Sequence, residues 1–233
     1  MKNILFGIFA HPDDEAFGPS ATLMKAVDAG TELHLICLTD GQAGVNPDNV
    51  PNLGAVRRHE WISAGRALGA TGLYPLGYQD GHICHSLYEE IGDKIETLIK
   101  GVCTAARDDV HLSFITFDQN GLTGHLDHIA ASFLATKMFC CMKKDPPART
   151  VVKEIAYYCL SSKMAPTKGE WSHYYMPMGR PAEFINRRVG VRPLLPRKYA
   201  LLRHHHSQRA DAQTLRSLGD EAQGVDNFHV VHA

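Results

Sequence analysis

The feature that most constrains this chain is a series of short, almost uninterrupted apolar runs separated by segments of helical period. Asn3 to Phe9, Leu33 to Leu38, Leu112 to Phe117 and Ile155 to Leu160 are too short for buried helices and lack the polar alternation of half-exposed strands. They fit strands covered on both faces, as in a parallel sheet. Between them, Leu87, Ile91, Ile95, Leu98 and Ile99 share one helical face, with Ser86 and Glu89 at capping-box spacing and Gly101 as the predicted stop. Trp61, Ala64 and Leu68 mark a second helix that ends at Gly69. This alternation predicts an α/β fold: a doubly wound, mostly parallel sheet with helices on both faces and right-handed crossovers. In such sheets the active site lies at the carboxyl ends of the strands.

Charge and cysteine usage narrow the function classes. Lys and Arg number 24 against 25 for Asp and Glu, with no long block of one sign, so the electrostatic footprint of a nucleic-acid binder is missing. The N-terminal apolar run is too short to span a bilayer and lacks the pattern of a signal peptide, so a cytoplasmic location is expected. Cys37, Cys84, Cys103, Cys140, Cys141 and Cys159 show no C-x-x-C spacing and are expected to be reduced thiols. Two loops rich in turn residues, Gly41 to Gly54 and Ser161 to Pro196, the latter with Trp171, Tyr174 and Tyr175, read as binding loops or as plain surface connections.

Ionisable residues concentrate after two of the predicted strands. The first group is His11-Pro12-Asp13-Asp14-Glu15, whose burial is costly unless each side chain finds a partner. His11 and Asp14, three apart, can converge on one metal ion, leaving Asp13 for proton transfer. Alternatively, the acids only favour a helix N-terminus. The second group is Gly124-His125-Leu126-Asp127-His128, in which Asp127 can orient a ring as a hydrogen-bond acceptor. His11, Asp14 and one of the later histidines make the three protein ligands that a hydrolytic zinc site requires. A mixed nitrogen and oxygen set would equally accept iron(II) or cobalt.

These two motifs resemble those of the LmbE-like/PIG-L family of metal-dependent N-acetylglucosaminyl de-N-acetylases. Thr39-Asp40-Gly41, Arg57 with Glu60, Asp80-Gly81, and Lys198 through His205-His206-Ser207-Gln208 follow in the family's order. The resemblance therefore spans nearly the whole chain. It implies a Rossmann-like domain over residues 1–233, with the later part, about 161–233, completing the substrate pocket. It also implies zinc held by His11, Asp14 and His128, Asp13 as general base, His125 as electrophile or acid oriented by Asp127, and substrate contacts from Arg57 and Asp80. Leu126 stands where the family usually has proline.

The chemistry expected is hydrolysis of an N-acetyl group from an N-acetylglucosaminyl-type small molecule, releasing acetate and a free amine. Zinc brings the pKa of a bound water down to roughly 7, Asp13 takes its proton, and protonated His125 stabilises the oxyanion. The competing readings are a metal amidase acting on a non-sugar or thiol-conjugate amide, and a non-catalytic carbohydrate-binding module. The chain is also compatible with a homo-oligomer. Other patterns are weaker. In His204-His205-His206, consecutive side chains diverge, so a helix end with one inward histidine, His205, is expected. His59-Glu60 fails as a zincin motif because Ser63 stands where the second histidine belongs. Arg57 and Glu60 could form a mere helix-surface pair, and Asp80-Gly81 a simple turn. G-x-S-x-G, P-loop and G-x-G-x-x-G signatures are absent.

Overall fold

In the computed structural model, which describes residues 1–162, 164–165 and 179–233, seven strands form one sheet. They are β1 (Lys2–Phe9), β2 (Glu32–Thr39), β3 (Gly72–Tyr78), β4 (Val110–Phe117), β5 (Thr150–Cys159), β6 (Arg187–Gly190) and β7 (Val225–His232), in the order β3-β2-β1-β4-β5-β7-β6. β1 to β5 are parallel, whereas β7 runs antiparallel to both β5 and β6. The helices are α1 (Asp14–Phe17), α2 (Ser20–Asp28), α3 (Leu53–Leu68), α4 (Tyr88–Ala105), α5 (Gly121–Gly124), α6 (Leu126–Lys144), α7 (Leu195–Leu202), α8 (Arg209–Ser217) and α9 (Gly219–Gln223). The expected doubly wound sheet is present.

The alternation of strand side chains explains the layers. Ile4, Phe6 and Ile8 of β1 join Ile36, Leu38, Leu112 and Phe114 in a core covered by α4 and α6. Phe9, Leu33, Leu35, Cys37 and Ile115 point to the other face, where Leu23, Trp61, Leu68, Leu201 and Leu202 cover them. Strands sandwiched this way must be apolar on both sides, which is why their sequence runs look continuous. β3 was not legible: Pro75 interrupts its apolar pattern, and its place at the sheet edge is where a strand tolerates a missing N–H. β6 and β7 also escaped the sequence pattern, since β7 is half exposed and broken by Asp226, Asn227 and His229.

Local signals set most helix ends. Asn52 accepts the Ala55 N–H at 3.0 Å to start α3, and Gly69 ends it with φ 88°, in the left-handed region. The capping box expected at Ser86 and Glu89 does not form. A 3-10 turn over His85–Leu87 precedes α4, and Ser86 turns its hydroxyl to Cys84. Nor does Gly101 stop α4, which continues to Ala105 because Ile95, Ile99 and Cys103 keep burying the same stripe. The second turn-rich loop, with Trp171, Tyr174 and Tyr175, falls largely outside the described residues. All six cysteines are free thiols. No helix among the described residues is long and apolar enough to cross a membrane.

Candidate metal centre and active site

The chain leaves β1 towards β2 on one side, while β4 pairs with β1 on the other. The carboxyl ends of β1 and β4 thus flank the topological switch point, where α/β sheets open a crevice. Both ionisable clusters empty into it.

After β1 the backbone turns sharply. Asp13 has φ 136°, a conformation that L-residues adopt only under constraint. That kink sends the two neighbouring aspartates in different directions. Asp14 folds back, and its Oδ2 accepts the N–H groups of Ala10 at 3.1 Å and His11 at 2.9 Å. Its Oδ1 lies 3.2 Å from His128 Nε2. Burial alone would raise the Asp14 pKa, but His128, His11 and the His11 amide outweigh it and hold the carboxyl well below the ordinary range. Asp13 instead meets Arg57, whose Nη2 donates to it at 2.9 Å. Burial raises the Asp13 pKa to about 6 against the opposing charge of Arg57.

The β4 side presents its histidines from the start of α6. His128 Nδ1 sits 3.1 Å from the Gly121 carbonyl, which can only accept, so this nitrogen carries the hydrogen and Nε2 the lone pair. That lone pair faces His11 Nδ1 at 3.0 Å. The other His11 nitrogen, Nε2, is buried 3.0 Å from Asp80 Oδ1 and 3.5 Å from Asp127 Oδ2, an ionic approach without aligned hydrogen-bond geometry. Two carboxylates at Nε2 draw the hydrogen there and leave Nδ1 with its lone pair. Two ring lone pairs and an Asp14 oxygen then face one another, an arrangement that repels itself unless a cation joins them. A proton would serve: burial opposes the His11 charge, but the close carboxylates of Asp127 and Asp80 and the charge of Asp14 raise its pKa to about 10. A metal ion fits the same point, with a borderline nitrogen and oxygen donor set. His11, His125 and His128 also offer ring nitrogens within 4.8 Å of one another, as do His11, Asp80 and Asp127 their ligand atoms. Asp80 and Asp127, however, occupy the opposite nitrogen of His11, and His125 Nδ1 already accepts the Asp127 N–H at 3.2 Å.

That last bond fixes the His125 tautomer. With Nδ1 accepting, Nε2 carries the hydrogen. Burial and the neighbouring His128 and His11 lower the His125 pKa to about 4. The expectation of a protonated His125 is therefore replaced by a neutral imidazole N–H donor. Asp127, expected to orient His125 through its side chain, meets that ring through its backbone. The Asp127 carboxylate accepts from Gly81 N at 2.7 Å and faces His11, while its backbone N–H donates to the His125 ring.

The structure brings all eight candidate residues into one region, though Arg57 and Asp80, like Asp127, sit differently than expected. Arg57 is buried and spends its guanidinium inward: Nη1 donates to Gly41 O at 2.6 Å, and Nη2 to Pro12 O at 3.0 Å as well as to Asp13. A Cβ on Gly41 would lie 2.5 Å from that guanidinium, which explains the glycine. Asp80, also buried, accepts from Ala43 N at 3.1 Å and faces His11. Arg57 and Glu60 do not pair with each other; Glu60 accepts from Ser207 N at 2.9 Å and from its hydroxyl at 2.6 Å. His205 packs inward, 3.3 Å from the buried Glu15, and Lys198 donates to Gly18 O at 2.7 Å and Phe17 O at 3.1 Å. Sequence reasoning missed the cavity-lining Asp211 and the buried Asp118, which Arg180 grips with two nitrogens. Neither belongs to a short motif, and only the fold brings residues so far apart together.

A mostly parallel sheet with clustered ionisable groups at its switch point defines an open α/β protein with a polar crevice at its strand ends, and comparison with known proteins narrows the class. The family model described as GlcNAc-PI de-N-acetylase (PIG-L) matches residues 6–139, more than half of the chain. The chain belongs to this family. It is 26% identical to 1D-myo-inositol 2-acetamido-2-deoxy-alpha-D-glucopyranoside deacetylase of Acidothermus cellulolyticus, over 98% of this chain and 88% of the relative. Its fold resembles N,N'-diacetylchitobiose deacetylase from Pyrococcus horikoshii, with TM-score 0.71, 20% identity, and coverage of 99% of this chain and 84% of that one. It also resembles the 4-carboxy-2-hydroxymuconate hydratase of Pseudomonas putida KT2440, with TM-score 0.66, 14% identity, and coverage of 99% and 96%. The fold by itself therefore does not fix the reaction.

Proposed function

We propose that this protein is a zinc-dependent N-deacetylase acting on an N-acetylglucosaminyl-type small molecule. The observation that carries the reading is the convergence of His11 Nδ1, His128 Nε2 and the Asp14 carboxylate, with Asp13 and the His125 N–H beside them. Membership of a de-N-acetylase family and the deacetylase relatives support the same reaction.

His11, Asp14 and His128 are the proposed zinc ligands. When bound, the ion supplies electrophilic activation of a water molecule and of the acetamide carbonyl. Asp13 accepts the proton of the attacking water at its carboxylate. A pKa near 6 suits that task, since a base works best when poised near the operating pH. Arg57 holds Asp13 in place and keeps it from drifting higher. His125 donates its Nε2 hydrogen to the carbonyl oxygen as negative charge develops there. Asp80 and Asp127 orient His11 through its far nitrogen, a role distinct from direct substrate contact. The later part of the chain completes the pocket, through Gln208 and Asp211.

Incubation with N-acetylglucosaminyl conjugates tests this reading. Acetate and free amine should appear in equal amounts. Hydration of an unsaturated acid with no acetate released from any conjugate would instead favour the hydratase chemistry found on this fold.

A further inference from the structure

The cavity that contains the site also carries information about what the substrate holds beyond the sugar. Four carboxylates line it, from Asp13, Asp14, Asp80 and Asp211; once an ion takes the place of the proton on His11, Arg57 is the one cationic side chain facing them. Arg57 faces inward and donates through Nη2 to Pro12 and Asp13 and through Nη1 to Gly41, so its charge is directed mainly at the protein itself. A divalent ion and Arg57 together offset three of the four lining charges. The fourth lies outside that balance.

Asp211 is the fourth. It stands exposed in the first turn of α8, far in sequence from the turns after β1 and β4 but lining the same cavity. Among the described residues no cation pairs with it. Arg209, two residues before it, is committed to Asp48. An exposed, unpaired carboxylate at a cavity wall accepts charge-assisted hydrogen bonds from hydroxyl groups. It repels a carboxylate or phosphate approaching the same place, and such built-in repulsion is a common source of specificity.

We propose that Asp211 is a specificity-determining residue, selecting substrates whose group beyond the acetamido sugar is a neutral polyol over those carrying an anion. The inference rests on the deacetylase reading above and deepens it. Neighbouring Gln208, whose Nε2 donates to Val45 O at 3.1 Å, anchors the start of α8 and so fixes where that carboxylate stands.

The test compares two compounds of one skeleton: N-acetylglucosaminyl malate, and its counterpart in which both carboxylates are reduced to hydroxymethyl groups. Acetate release would be followed at low and high salt with wild type, Asp211→Asn and Asp211→Arg. Wild type should favour the neutral compound by roughly ten-fold or more in kcat/KM, mainly through KM, as expected for like charges at short range in a partly solvated site. The preference should shrink with salt, fall in Asp211→Asn, and fall further or invert in Asp211→Arg. Equal use of both compounds by wild type, or a preference unmoved by Asp211→Arg, would overturn the assignment while leaving the deacetylase reading intact. Release from neither compound would overturn that reading and this inference with it.

Discussion

The turn after β1 and the turn before α6 meet at the same point, but they are built by opposite means. The first is held by charge and strain: Asp13 sits at φ 136°, Arg57 clamps it from behind, and Asp14 is pinned by two backbone amides. The second is held by side-chain-to-backbone hydrogen bonds, the Asp127 N–H on His125 and the Gly121 carbonyl on His128. In consequence the β1 turn sets the proton affinities of its two carboxylates apart, and the α6 turn decides where His125 and His128 keep their hydrogens. Neither turn makes a site alone.

The sharpest way to break this comparison lies within the β1 turn. Asp13→Asn keeps the shape but removes the proton acceptor. In the proposed mechanism, kcat should fall by about a hundred- to ten-thousand-fold with metal content unchanged. Elemental analysis beside steady-state kinetics checks both halves, and wild-type turnover with metal bound would sink the base assignment.

On the α6 side, His125→Ala should retain metal and lose about a hundred- to thousand-fold in kcat, the usual cost of one oxyanion donor. His128→Ala should instead lose the metal. Equal metal loss in the two variants would merge the roles that the tautomers separate.

A smaller effect is expected where the two halves of the site touch through His11. Asp80→Asn should weaken zinc affinity by about ten- to a hundred-fold, as outer-sphere partners of a ligating histidine do. Competition with a chelator of known affinity measures it. Unchanged affinity together with a raised KM would return Asp80 to the substrate contact that the sequence suggested.

Legibility in the sequence follows the same division. The buried parallel strands and the His11–Glu15 and His125–His128 groups stand out because burial on both faces and the clustering of ionisable residues are local properties. The Asp127 and Arg57 geometry was not legible, since nothing local says whether a carboxylate faces its neighbouring ring or a histidine 116 positions earlier on another strand end. The state of His125 depends likewise on its burial and on the rings of His128 and His11 packed around it. The antiparallel edge was missed for a different reason. Asp226, Asn227 and His229 break the hydrophobic pattern of β7, and only pairing with β5 and β6 makes it a strand.

The central claim is that the two turns share one divalent ion. Protein purified without chelator should contain one zinc-class ion per chain, lose acetate release when that ion is stripped, and recover it when zinc returns. Asp14→Asn should bind the ion far more weakly, because a neutral amide is a poorer ligand than a carboxylate. Full deacetylase activity in metal-free wild-type protein would contradict the account.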